Sequence, residues 1–236
     1  MAITLYPWLD HLTQHLPVAK EGRDPSGVHQ VRVAARWLRV WLRLAGMRVL
    51  EDDLAWLVRA AGEVRDLEVL LQQPNLPKAF RNWATSRLEE ARATFVPLLD
   101  SPRLAGLLQA LSNLPPLDEE AAKTRLKRFV RQTKRKAEEW LNQDSIESLH
   151  TLRRALRRLR YAREWLGLDS QPIKALQEAF GQVGDLAFTL RYLGYFEAQG
   201  GQVSVYKGQL EKELGRALQA ARAAWSKHQA DLYTAR

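Results

Sequence analysis

An eleven-residue pattern occurs twice in this chain, and its second copy restricts the fold more than any other feature. His29-Gln-Val-Arg32-Val-Ala-Ala-Arg36-Trp-Leu-Arg39 aligns without a gap to His150-Thr-Leu-Arg153-Arg-Ala-Leu-Arg157-Arg-Leu-Arg160. A second pair follows in the same order. Leu57 to Leu67, ending Ala-Gly-Glu-Val-Arg-Asp-Leu, matches Leu176 to Leu186, ending Phe-Gly-Gln-Val-Gly-Asp-Leu. Two matched motifs in one order indicate one supersecondary unit used twice.

The spacing inside the repeats is helical. Apolar residues recur three and four apart almost throughout, interrupted at Pro and Gly clusters. This predicts helices near Ile3–Lys20, Gly27–Ala45, Asp52–Gln72 and Pro77–Val96, with a short extra helix after Ser101-Pro102-Arg103. A second set follows near Asp118–Asn142, Ser145–Leu166, Pro172–Ala198 and Val203–Leu232. No long segment alternates as a strand would, and Gln202–Tyr206 is too short to support a sheet. The fold class is therefore all-α: two four-helix bundles, residues 1–112 and 118–236, joined by Asn113-Leu-Pro-Pro-Leu117 and related by a pseudo-twofold axis.

Charge narrows the partners. The 36 Lys and Arg outnumber the 27 Asp and Glu, giving a net charge of +9, and 26 of the 36 are Arg. Such a balance favours a polyanion. The guanidinium preference favours phosphate, which its planar fork grips with two parallel hydrogen bonds. With no Cys there is no disulfide, thiolate metal site or cysteine nucleophile. The first twenty residues mix Asp10, His11, Gln14 and His15 among apolar positions, unlike a signal peptide. Nothing approaches the roughly 20 apolar residues that cross a bilayer. A cytoplasmic protein without membrane insertion is the expectation.

At 100° per residue, His29, Arg32, Arg36, Arg39 and Arg43 fall on one narrow stripe, while the rest of their helix is apolar. No acidic residue lies between Asp24 and Glu51. A row of arginines without counter-ions repels itself, so distant acids or a bound anion must neutralise it. His150, Arg153, Arg157 and Arg160 repeat the stripe, widened by Arg154 and Arg158. The preceding helix adds Arg125, Arg128 and Arg135 on a shared face. If the pseudo-twofold brings the stripe helices together, they form a continuous basic groove suited to a linear, densely anionic polymer.

Three readings of His29 and His150 stay open: helix caps, phosphate contacts or metal ligands. His11 and His15, four apart, read as surface residues. Asp66 and Asp185 occupy equivalent places in the second motif and read as structural, either orienting stripe arginines or capping local backbone. Trp37, Trp41, Trp140 and Trp165 read as core. No paired carboxylates, glycine-rich phosphate loop or activated nucleophile is recognisable. The chain is thus expected not to be an enzyme, and no cofactor is expected.

The paired His-x-x-Arg-x-x-x-Arg-x-x-Arg helices, the Val-Arg-Asp66-Leu and Val-Gly-Asp185-Leu segments and Leu99-Asp-Ser-Pro-Arg103 together resemble the conserved histidine α-helical domain (CHAD) family, across nearly the whole chain. The resemblance implies antiparallel four-helix bundles around a basic cavity that binds inorganic polyphosphate, often on polyphosphate granules. Carried over by position, the polyphosphate contacts are His29, Arg32, Arg36 and Arg39, with His150, Arg153, Arg157 and Arg160. Arg125, Arg128 and Arg135 are additions, and Arg43, Arg154 and Lys207 lie at the margin. The basic balance alone also admits RNA or DNA as partner, although no base-reading motif or stacking platform accompanies it. A third alternative has Asp66 or Asp185 holding a divalent ion for phosphoanhydride cleavage.

Overall fold

The computed structural model describes residues 2–233. Among them the regular structure is helical, and extended pairing is limited to an isolated antiparallel bridge in which the Leu117 amide donates to the Ile3 carbonyl at 2.9 Å. The chain forms two compact units, Met1–Ala122 and Lys123–Arg236.

The first unit begins with α1 (Tyr6–Glu21) and α2 (Ser26–Ala45), which pack against each other. Their approach is close because Gly27 has no side chain. A Cβ there would stand 2.5 Å from the Ala19 amide nitrogen. Val28, Val31, Ala34, Ala35, Leu38, Trp41 and Leu42 bury the broad apolar face of α2. That burial turns the arginine stripe away from the core.

The expected helix over Asp52–Gln72 is two helices, α3 (Glu51–Ala60) and α4 (Gly62–Leu71), separated at Ala61, whose ψ is 0°. Gly62 lowers helix propensity by about 1 kcal/mol. Its carbonyl also accepts a hydrogen bond from Arg32 Nη1 at 3.1 Å. An inserted side chain beside a glycine is a common cause of such a break. The unit continues through α5 (Lys78–Phe95), a 3-10 turn at Val96–Asp100 and α6 (Pro102–Ser112). The Ser101 hydroxyl caps α6 by accepting from the Leu104 amide. Trp41, Phe80, Phe95, Leu54, Leu57 and Leu67 are fully buried in this core.

In the second unit α7 (Glu119–Gln143, begun just before the unit boundary) is followed by α8 (Ile146–Trp165), α9 (Gln171–Glu197) and α10 (Ser204–His228). Ser145 and Ser148 form a reciprocal capping box that fixes the start of α8. Trp140, Phe180 and Trp225 bring α7, α9 and α10 onto one aromatic cluster, with Trp140 edge-on to Phe180 at 5.4 Å and to Trp225 at 5.8 Å. Here the second motif runs unbroken through α9, whereas its counterpart is split at Ala61. The last helix ends at His228, short of the expected Leu232, and a 3-10 turn covers Ala230–Tyr233. Trp41 and Trp140 are core as expected; Trp37 is half-buried, stacked on Trp8 at 4.5 Å, and Trp165 is half-buried. No helix among the described residues is long and apolar enough to cross a membrane.

Candidate functional site

Five expected site residues, His29, Arg32, Arg36, Arg39 and Arg43, lie half-buried along α2, opposite its core face. The sequence reading found no local carboxylate for them, but the fold supplies acids from the next helices. Arg32 Nη1 donates to Asp66 Oδ1 of α4 at 3.2 Å, in addition to the Gly62 carbonyl. Glu51, at the start of α3, serves two arginines through one oxygen. Arg39 Nη2 donates to Glu51 Oε1 at 3.1 Å and Arg43 Nε at 2.7 Å, and Arg43 Nη2 also closes on that oxygen. Burial pushes the Glu51 carboxyl up, yet the hydrogen bonds and charge of Arg43 and Arg39 outweigh it and hold the group below its ordinary value. Loss of hydration, then Arg65, Arg36 and Arg32, lowers the His29 pKa.

The stripe of α8 is differently furnished. Arg153, Arg157 and Arg160 are half-buried, and His150 and Arg154 are exposed. Arg160 Nε lies 3.7 Å from Glu164 Oε1 one turn on, and Glu164 also accepts from the Ser170 hydroxyl at 2.7 Å. Arg153 Nη2 is 3.8 Å from Asp185 Oδ1, beyond hydrogen-bond length. Arg154 Nη2 is 3.4 Å from the Thr151 hydroxyl. The His150 pKa is lowered to about 4 by lost hydration first, then by Arg154, Arg153, Arg157 and Arg191. Four guanidiniums, one of them from α9, therefore add to the loss of hydration in disfavouring a charged His150.

Net charge divides as the partners do. Met1–Ala122 holds 14 basic and 15 acidic residues, a balance of −1, while Lys123–Arg236 holds 22 and 12, a balance of +10. The entire positive excess of the chain belongs to the second unit.

Of the α7 residues, Arg125 is half-buried and Arg128 and Arg135 are exposed. Phe129, Thr133, Ala137 and Trp140 bury another face of that helix. Arg135 Nε sits 3.5 Å from Glu139 Oε1. Lys207 on α10 donates to Glu197 Oε2 at 2.7 Å. Asp66 and Asp185 each face the first arginine of their own stripe, as expected of orienting partners. His11 is not a bare surface residue: its Nε2 meets Gln30 Oε1 at 3.1 Å, and its ring packs against His15 at 4.3 Å. Among the described residues no group of three or more His, Asp or Glu stands together as metal ligands would.

Sequence reasoning missed Arg65, Glu51 and Arg191. Arg65 and Arg191 sit on the helices that face the stripes, outside the repeated pattern of the stripe itself. Glu51 opens an acidic run, Glu51-Asp52-Asp53, just past the turn that ends α2, and that run was a legible signal.

The sequence model of a family described as the CHAD domain matches residues 5–194 of the chain. No curated protein matches. The fold is similar to the crystal structure of the CHAD domain from the plant Ricinus communis, with a TM-score of 0.73 and 24% identity over 98% of this chain and 90% of that one. It is likewise similar to PptA from Streptomyces chartreusis, with a TM-score of 0.74 and 16% identity over 94% of this chain and 96% of that one. At these identities the structural likeness speaks for the fold.

Proposed function

The chain belongs to the CHAD domain family, and on that premise we propose that it binds inorganic polyphosphate without turning it over. One observation carries the reading. Arg153, Arg154 and Arg157 lie within two turns of His150 on α8, Arg191 adds its charge from α9, and the unit holds ten more cationic than acidic residues. Like charges so placed repel one another, and an anion with many closely spaced oxygens relieves that repulsion while accepting charge-assisted hydrogen bonds. Polyphosphate offers one such charge per repeating unit and asks for no base recognition. The exposed residues Arg128 and Arg135 on α7 extend the same basic character. A neutral His150 supplies one donor and one acceptor to this setting. Association with polyphosphate granules would follow from such binding.

Titrating long-chain polyphosphate at several salt concentrations tests the proposal. Affinity should be high at low salt and fall steeply as salt rises, because neutralised phosphates release their counterions. No binding at low salt would overturn it. The non-catalytic half of the reading is tested by incubating protein, polyphosphate and Mg²⁺ and measuring phosphate release, where steady turnover would refute it.

Nucleic acid is a second reading, favoured by Tyr195, which is exposed one turn after Arg191 on α9 and could stack a base. Competition decides between them. Single-stranded nucleic acid that displaces polyphosphate at equal phosphate concentration would favour the second.

A further inference from the structure

We infer that the two repeats do unequal work: the polyanion is gripped by the second unit through Arg153, Arg154, Arg157 and Arg191, while Arg32, Arg39 and Arg43 of the first repeat stabilise their own unit. The inference rests on the polyanion-binding reading above, though not on which polyanion is bound. It also adds Arg191, which lies outside the repeated pattern, to the binding residues.

Three independent observations support it. The first is the supply of acids. Glu51 pairs with both Arg39 and Arg43 in the first unit. The residues at its place in the second repeat are Pro172, counting from the first motif, and Ser170, counting from the second. Neither can accept as a carboxylate does. Arg43 itself is replaced by Glu164, which lies near Arg160. The second stripe has thus exchanged its last cation for an acid beside Arg160 at one end, and Arg153 and Arg157 remain on the His150 side.

The second observation is how each unit treats the first arginine of the stripe. Arg32 is largely buried, with 13% of its side chain exposed, and hydrogen-bonded to Asp66. Arg153 is 3.8 Å from Asp185, whose own side chain is 65% exposed. An ion pair so long and so open to solvent contributes little, and phosphate oxygens can compete with it.

The third is the surface on which Arg153 lies. Where the first repeat has Arg65, the second has Gly184, and a Cβ at that position would stand 2.3 Å from Arg153 Nη1. The glycine lets the guanidinium settle on α9. About two turns further along the same helix, Arg191 is held over the rings of Phe188 and Tyr192, at 5.6 and 5.7 Å from their centroids. Stacking on aromatic faces fixes the place of a guanidinium, whose planar fork is suited to phosphate oxygens.

The test compares full-length variants by calorimetric titration with long-chain polyphosphate and, in parallel, with dextran sulfate, each over a range of salt. Arg191→Gln should weaken binding about tenfold and lower the slope of log affinity against log salt by about one. Arg153→Gln/Arg157→Gln should weaken it about a hundredfold. Arg39→Gln/Arg43→Gln should instead lower the unfolding midpoint and keep affinity within about twofold of the parent. If that last variant fails to fold, Arg191→Gln, made at an exposed side chain, still decides. Unchanged affinity and salt slope in Arg191→Gln would overturn the inference. So would a folded Arg39→Gln/Arg43→Gln protein that loses as much as Arg153→Gln/Arg157→Gln. Parent protein that binds dextran sulfate but not polyphosphate would refute the proposed function alone, and the variants would still report on the division of labour. Parent protein that binds neither refutes both.

Discussion

Arg43 donates from Nε to Glu51 Oε1 at 2.7 Å across the turn that joins α2 to α3, and Arg39 shares that oxygen at 3.1 Å. One carboxylate therefore holds two guanidiniums that would otherwise repel each other along α2. The contact staples the end of one helix to the start of the next, and removing its acid strands two partly buried cations.

Glu51→Gln should accordingly destabilise the protein by about 2 kcal/mol, the scale of breaking a partly buried, hydrogen-bonded pair. Urea unfolding measures it. Acid titration gives a second check with a definite sign. Because the folded Glu51 pKa lies below the ordinary 4.5, its stabilisation is complete above pH 4.5 and is lost as pH falls through the folded value. The parent should lose this stability on acidification, and Glu51→Gln should show a flatter profile over the same range.

Polyphosphate should raise the thermal midpoint of the parent protein. At a free ligand concentration a hundred times the dissociation constant, the gain is about 2.7 kcal/mol. For a chain of this size that corresponds to roughly 5–10 °C. The shift should shrink as salt rises, since the same counterion release that drives binding is suppressed. A midpoint indifferent to polyphosphate at low salt would contradict the proposed binding.

Much of this architecture was legible in the sequence because it follows from short-range periodicity. The stripe of α2 was visible as soon as Arg32, Arg36, Arg39 and Arg43 were placed on a helical wheel, since the apolar residues between them admit one buried face. The break at Ala61 was not visible, because Asp52 to Gln72 keeps its apolar spacing across it. What splits the helix is Arg32 reaching Gly62 from another helix. Asp66 and Asp185 were legible as partners of the stripe from their matched places in the second motif, whereas Glu51 was not assigned to it. A search for acids three or four residues away cannot find Glu51, which returns to Arg43 only because the chain turns at Gly46. Arg191 was hidden too, a lone cation among Phe188, Tyr192 and Tyr195 that becomes part of a cluster only when α9 packs against α8.

His150 should take up protons when a polyanion binds. Its folded pKa is about 4, below the ordinary value of 6.5, because lost hydration and the neighbouring guanidiniums disfavour an imidazolium. Phosphates bound to those guanidiniums remove the repulsion and return the pKa toward 6.5. Between these values the free protein is neutral at His150 and the complex carries a proton, so binding must strengthen as pH falls through that window. Titrations near pH 5.5 in buffers of different ionisation enthalpy should show net proton uptake that His150→Asn reduces. The depressed pKa also fixes the sign for the free protein. Its contribution to stability is present above pH 6.5 and declines as pH falls toward 4, where the unfolded chain binds the proton first.

Gly184→Ala offers a separation of folding from binding. Gly184 lies inside α9 with ordinary helical geometry, so alanine should stabilise the helix, by up to about 1 kcal/mol from propensity. The new methyl would stand 2.3 Å from Arg153 Nη1, and the flexible guanidinium, rather than the backbone, must yield. The expected result is an unfolding midpoint equal to or above that of the parent, together with weaker polyphosphate binding and a shallower salt dependence. Arg153 displaced in this way cannot meet phosphate from the same place, whereas a stripe that merely supplied bulk positive charge would be indifferent to a move of an ångström or two. Undiminished affinity in a folded Gly184→Ala protein would therefore mean that net charge alone, and not the seat of Arg153 on α9, holds the anion.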